Sequence, residues 1–123
     1  MSGAELFVDT NILIYLMDGD EYVTTILKEK RVFLSFVTEI ELRSRKNVSQ
    51  AETEFIKNVI AACNVVGMND NIKEEAIRLR QSYGLKTPDA LIAASAIVMD
   101  MTLVTADRQF ERIQEVSLIL VQP

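Results

Sequence analysis

Four acidic residues far apart in the chain, Asp9, Glu41, Asp89 and Asp107, are the side chains best placed to do chemistry, and no histidine is available to share it. Every mechanism that needs imidazole as base, acid or ligand is thereby closed. Hydrolysis built from this alphabet must use carboxylates, lysine, a hydroxyl nucleophile or a metal ion held by oxygen. The single cysteine, Cys63, lies in an apolar run on an expected helix. It has no second thiol to pair with, so a disulfide or thiolate zinc site is excluded and packing is its expected role.

Whether the four acids can act together depends on the elements that carry them. Leu6-Phe7-Val8 is a short apolar run that breaks at Asp9-Thr10-Asn11 and passes into Ile12 to Met17, the pattern of a buried strand followed by a helix. Gly19 separates off a second short helix with Tyr22, Val23, Ile26 and Leu27 at helical spacing. Val32 to Val37 is β-branched and aromatic, hence a second strand, and Thr38-x-x-Glu41 then has the form of a capping box. Ser49-x-x-Glu52 opens another helix, with Phe55, Ile56, Val59, Ile60 and Cys63 on its apolar face, before a short third strand at Asn64 to Gly67. Ile72, Ala76, Leu79 and Tyr83 follow helical spacing up to Gly84, a helix stop. Thr87 reads as an N-cap with Pro88 at the first helical position. Ala90 to Met99, apolar on every side, reads as a central buried helix. Thr102 to Thr105 and Val116 to Val121 complete five strands.

This alternation predicts one α/β domain over residues 1–123, a parallel sheet with helices on both faces in a three-layer α/β/α sandwich. In such sheets ligands bind beyond the carboxyl ends of the strands, where the strand order reverses. Asp9 ends the first strand, Glu41 follows the second by a turn, Asp89 opens the buried helix and Asp107 ends the fourth strand, so all four are expected on one rim. Singly, each has a structural explanation. Asp9 serves as a helix cap or turn residue, Glu41 as a capping-box partner or the mate of Arg45, Asp89 as a complement to the helix dipole, and Asp107 as a turn residue. Together they exceed that need, because Thr10, Asn11, Thr38 and Thr87 already offer capping groups beside them. Surplus carboxylates converging on one rim need a cation.

Hydrophobic residues make up 49% of the chain, ample for one core. The net charge of −5, from 13 basic and 18 acidic residues, opposes a general basic footprint for nucleic acid. A polyanionic ligand would require bound cations or a local basic patch. Arg43, Arg45, Lys46, Lys86 and Arg108 lie close in sequence to three of the acids, and a phosphate-binding rim and a set of solvated ion pairs explain them equally. The apolar stretches break well before the roughly 20 residues that a membrane span needs. Glu5 and Asp9 interrupt the first apolar run and no basic region precedes it, unlike a signal peptide, so a cytoplasmic location is expected.

The runs Phe7-Val8-Asp9-Thr10-Asn11, Thr38-Glu39-Ile40-Glu41-Leu42, Thr87-Pro88-Asp89-Ala90-Leu91-Ile92-Ala93-Ala94 and Leu103-Val104-Thr105-Ala106-Asp107 resemble, in order and spacing, the four motifs of PIN-domain nucleases. The resemblance covers essentially the whole chain, and at this length it is to the toxin half of VapBC-type toxin–antitoxin pairs. It implies a five-stranded parallel sheet, Mg²⁺- or Mn²⁺-dependent endoribonuclease activity on RNA, a homodimer, and inhibition by a small antitoxin protein. Carried over by position, it makes Asp9, Glu41, Asp89 and Asp107 the catalytic acids and metal ligands, with Thr10, Asn11 and Thr105 as hydroxyl or amide support. A phosphoacceptor receiver domain would want adjacent acids after the first strand and a lysine after the last, and neither is present. An aspartate-nucleophile phosphatase would want a second aspartate at position 11, which is Asn11. A catalytically latent interaction module would share the fold, but a dead site is expected to lose some of its acids. Apolar surface for partners is expected on the Tyr22–Leu27 helix and on the long helix from Ser49.

Overall fold

The computed structural model describes residues 4–122; Met1 to Gly3 and Pro123, at the ends of the expected 1–123 domain, lie outside the described residues. Strands β1 (Glu5–Val8), β2 (Arg31–Ser35), β3 (Asn64–Val66), β4 (Thr102–Thr105) and β5 (Leu118–Leu120) pair in parallel in the order β3-β2-β1-β4-β5. Between them run α1 (Thr10–Met17), α2 (Glu21–Leu27), α3 (Phe36–Arg43), α4 (Gln50–Ala62), α5 (Asp70–Tyr83), α6 (Thr87–Val98) and a 3-10 helix at Arg108–Arg112.

Alternation along each strand divides the core in two. Phe7, Phe33 and Leu103 face one side, with Ile72 and Leu79 of α5, Ile92 and Ala93 of α6, and Phe110. Leu6, Val8, Leu34 and Val104 face the other, with Ile12 and Leu13 of α1, Val23 and Leu27 of α2, and Ile56 of α4. Burial on both faces is why the strands read as unbroken apolar runs, and it makes the architecture the expected α/β/α sandwich. Helix α6 is central as its composition requires: Ala90, Ala93, Ala94 and Ala96 are buried, and these small side chains let it pack on α5 and the sheet. Among the described residues no helix is long and apolar enough to cross a membrane.

Three local expectations are corrected. The second strand stops at Ser35 instead of Val37, because the Ser35 hydroxyl accepts from the Val37 N–H at 3.0 Å and caps α3 there. Thr38 and Glu41 are therefore inside the helix and form no capping box. Helix α6 begins at Thr87 with Lys86 as its N-cap, without a side-chain cap bond, so Thr87 is not the cap. Pro88 sits in the first turn, where a missing N–H costs nothing. The last strand is only Leu118–Leu120; Val116 packs on the core from the preceding turn. The Ser49–Glu52 capping box and the left-handed Gly84 stop (φ 69°) form as their residue types dictate.

From β1 the chain steps outward to β2 and β3, then returns to lay β4 on the opposite side of β1. The order thus reverses between β1 and β4, and the carboxyl ends of those two strands flank the crevice.

Candidate functional site

The first acid lies directly on this crevice. Asp9 follows β1 in extended conformation, and its N–H donates to the Val104 carbonyl at 3.0 Å, extending the β1–β4 ladder by one residue. Its Oδ1 accepts from the Thr10 N–H at 2.7 Å and caps α1. Capping by Asp9 is thus real, contrary to the expectation that it was surplus, but it engages one oxygen only. Oδ2 accepts from the Thr105 hydroxyl at 2.7 Å. Thr105 is fully buried and also accepts from the Asp107 N–H at 3.0 Å, so one hydroxyl ties the ends of both strands together.

Asp107 caps the 3-10 helix. Its Oδ1 accepts from the Gln109 N–H at 3.0 Å and its Oδ2 from the Gln109 side-chain Nε2 at 2.6 Å. The same Nε2 donates to Oδ2 of Asp89, in the first turn of α6, at 3.2 Å. On the opposite flank, Glu41 projects from α3 and its Oε1 accepts from the Thr10 hydroxyl at 2.5 Å. The Thr10 hydroxyl lies 3.0 Å from that of Thr38, which is fully buried.

Burial pushes the Asp9 carboxyl above its ordinary value; the bonds from Thr105 and Thr10 pull it down, and the charges of Asp89 and Asp107 raise it further. Asp89 is likewise pushed up, first by burial, then by the charges of Asp107 and Glu41, against the Gln109 bond and the Lys86 cation. The four carboxylates therefore share one electrostatic neighbourhood.

The structure brings together Asp9, Glu41, Asp89, Asp107, Thr10 and Thr105. Asn11 lies exposed in the first turn of α1, and among the described residues no hydrogen bond joins it to the acids. Of the two acids in the α3 run, Glu39 pairs outward with Arg43 at 2.9 Å, leaving Glu41 to the site; the expected Glu41–Arg45 pair is absent among the described residues. Gln109 and Thr38 belong to the cluster and were not foreseen. Gln109 follows Asp107 by two residues in what reads as a polar turn, and Thr38 reads in the sequence as the first residue of a capping box. The basic residues are split: Arg43 is engaged, Arg108 lies 3.4 Å from Glu111, and Lys86 acts on Asp89. Arg45 lines a groove between α3 and α4 with Leu42, Val48 and Ile56, and its buried Nη1 has no hydrogen-bond partner.

Two features bear on whether a metal ion suits these residues. The acids that face the crevice offer only carboxylate oxygens as metal ligands, the preference of Mg²⁺ and Mn²⁺. Between Asp89 and Asp107 the position of a positive charge is taken by the N–H groups of a neutral amide. Among the described residues no three acidic or cysteine side chains close on a single point. An ion that keeps several waters needs only one or two direct carboxylates, so the donor set fits.

A family model described as PIN domain matches residues 6–116. A chain in a toxin–antitoxin complex from Klebsiella pneumoniae is 29% identical with a TM-score of 0.78, the match covering 90% of this chain and 94% of that one. A chain of VapBC-1 from nontypeable Haemophilus influenzae is 25% identical with a TM-score of 0.74, covering 94% and 97%. VapBC2 from Rickettsia felis, bound to a DNA fragment from its promoter, shares the fold at 21% identity and a TM-score of 0.81, covering 94% and 98%. No curated protein matches the sequence.

Proposed function

The chain belongs to the PIN domain family, a family of nucleases, and from that premise we propose that it is a Mg²⁺- or Mn²⁺-dependent endoribonuclease, the toxin of a toxin–antitoxin pair. The observation that carries this reading is the convergence of Asp9, Asp89, Asp107 and Glu41 at the reversal of strand order between β1 and β4, with Asp9 only 7% exposed.

Asp9, Asp89 and Asp107 would hold the metal, directly or through water. Bound there, a divalent ion supplies charge neutralisation at the phosphodiester and a more acidic water. Thr105 fixes the Asp9 carboxylate and, through the Asp107 N–H, the start of the 3-10 helix. Glu41, its Oε1 occupied by the Thr10 hydroxyl, keeps Oε2 to accept a hydrogen bond from the attacking water and turn its lone pair toward phosphorus. Lys86, at the start of α6, adds positive charge beside Asp89 where an RNA phosphate would approach.

An antitoxin partner is supported by the Klebsiella pneumoniae complex. A homodimer belongs to the same reading and rests on the family resemblance alone. The test is cleavage of a panel of structured and single-stranded RNAs with Mn²⁺, with Mg²⁺ and with chelator. Cutting is expected only with metal, and it should vanish in Asp9→Asn protein purified identically. Equal cutting by both proteins would overturn the assignment.

A further inference from the structure

Gln109 is an uncharged residue whose side chain bonds the carboxylates of two of the site's acids. Its Nε2 lies 2.6 Å from Asp107 Oδ2 and 3.2 Å from Asp89 Oδ2, and its backbone N–H holds the other oxygen of Asp107 at 3.0 Å. Both carboxylate oxygens of Asp107 are thus bound by this single residue, and its Nε2 joins one of them to Asp89 Oδ2. An amide nitrogen carries two N–H donors and no acceptor, so it can join two carboxylates that would otherwise repel. A divalent cation would satisfy the same two oxygens more strongly, and the amide would have to leave to admit it.

We infer that Gln109 is a positioning residue that keeps the Asp89–Asp107 pair together in the metal-free protein and is displaced when a divalent ion binds. The inference rests on the proposed metal site and adds a competitor to it. The 3-10 helix suits this role. Its Asp107 cap is made through the Gln109 backbone N–H, so the side chain can swing away while the helix start stays held. Removing the donors weakens the metal-free state by leaving two like charges facing each other, and it spares the ion the loss of two hydrogen bonds. Both effects tighten binding.

The experiment compares Mn²⁺ affinity, by calorimetry and by the metal-induced shift in melting temperature, for the unmodified chain, Gln109→Met and Gln109→Ala. Methionine keeps the length of glutamine without its donors, and alanine provides a second variant should methionine disturb folding. Mn²⁺ is expected to bind the variants about tenfold tighter, about 1.4 kcal/mol. Their melting temperature without metal should fall while the metal-bound value changes little. A residue serving only the stability of the 3-10 helix would lower both melting temperatures equally and leave the affinity unchanged; that result, or weaker binding, overturns the inference alone. Absence of Mn²⁺ binding to the unmodified chain would overturn the metal site as well, so the two failures are distinguishable.

Discussion

Replacing Thr105 by valine tests the junction that joins the two halves of the site. Thr105 is fully buried, and valine copies its shape, so no cavity opens. Two hydrogen bonds are lost: the hydroxyl's donation to Asp9 Oδ2 at 2.7 Å and its acceptance from the Asp107 N–H at 3.0 Å. A bond to an ionised carboxylate contributes about 2 kcal/mol, and a half-buried N–H left without an acceptor costs about 1 kcal/mol, so the loss at neutral pH is about 3 kcal/mol. For a domain of this size that lowers the melting temperature by roughly 10 °C. The loss carries a pH signature. The Thr105 bond opposes the burial that raises the Asp9 pKa, so removing it raises the folded-state pKa further. The destabilisation is therefore full above the folded pKa of Asp9 and shrinks as pH falls through it, because a neutral carboxyl needs the donor less. Urea unfolding in chelator, followed by circular dichroism at pH 7.5 and at successively lower pH, measures it. Thr105→Ser, which keeps the hydroxyl and loses one methyl, is the control and should lose about 1 kcal/mol at every pH. Equal losses for valine and serine at pH 7.5, or a valine loss that does not change with pH, would refute this account of the junction.

Asp9→Asn and Asp89→Asn should each raise the melting temperature in chelator at pH 7.5. Both carboxyl pKa values lie above their ordinary range in the folded chain, so ionisation costs stability above the folded pKa, and the cost fades as pH falls toward the unfolded value. Differential scanning calorimetry across pH checks the sign. Saturating Mn²⁺ should stabilise the unmodified chain, by about 2.7 kcal/mol at a hundredfold excess over its Kd, and Asp9→Asn should abolish that gain in the same scans. Thr10→Val removes the hydroxyl that holds Glu41 and should slow RNA cleavage by about tenfold to a hundredfold with little change in Mn²⁺ affinity, read by single-turnover kinetics beside calorimetry. Leu34→Ala, at a fully buried position in the central part of the sheet, should cost 2–5 kcal/mol of unfolding free energy, an order-of-magnitude range of about that width for such truncations.

The sheet was legible in the sequence because strands buried on both faces must be apolar throughout, as Leu6-Phe7-Val8 and Leu103-Val104 are, while the helices between them carry a 3.6-residue period. The four acids were legible for a related reason: Asp9 and Asp107 directly follow buried strands, and Glu41 and Asp89 lie within the first two turns of helices that start at the same rim of the sheet. Strand order was decided only by tertiary packing. Nothing local to β4 says that it pairs beside β1, yet that pairing creates the crevice and brings Thr105 to Asp9 across 96 positions of chain. Helix starts depart from the sequence pattern where two capping residues compete. Ser35 prevailed over Thr38 because Val37 packs its side chain into the core from a helical backbone, and this placed Glu41 inside α3, facing Thr10. Gln109 and Thr38 were invisible as site residues for a simple reason. A neutral polar side chain gains meaning only from what it touches, and its partners on α6 and α1 lie 20 and 28 residues away in the chain.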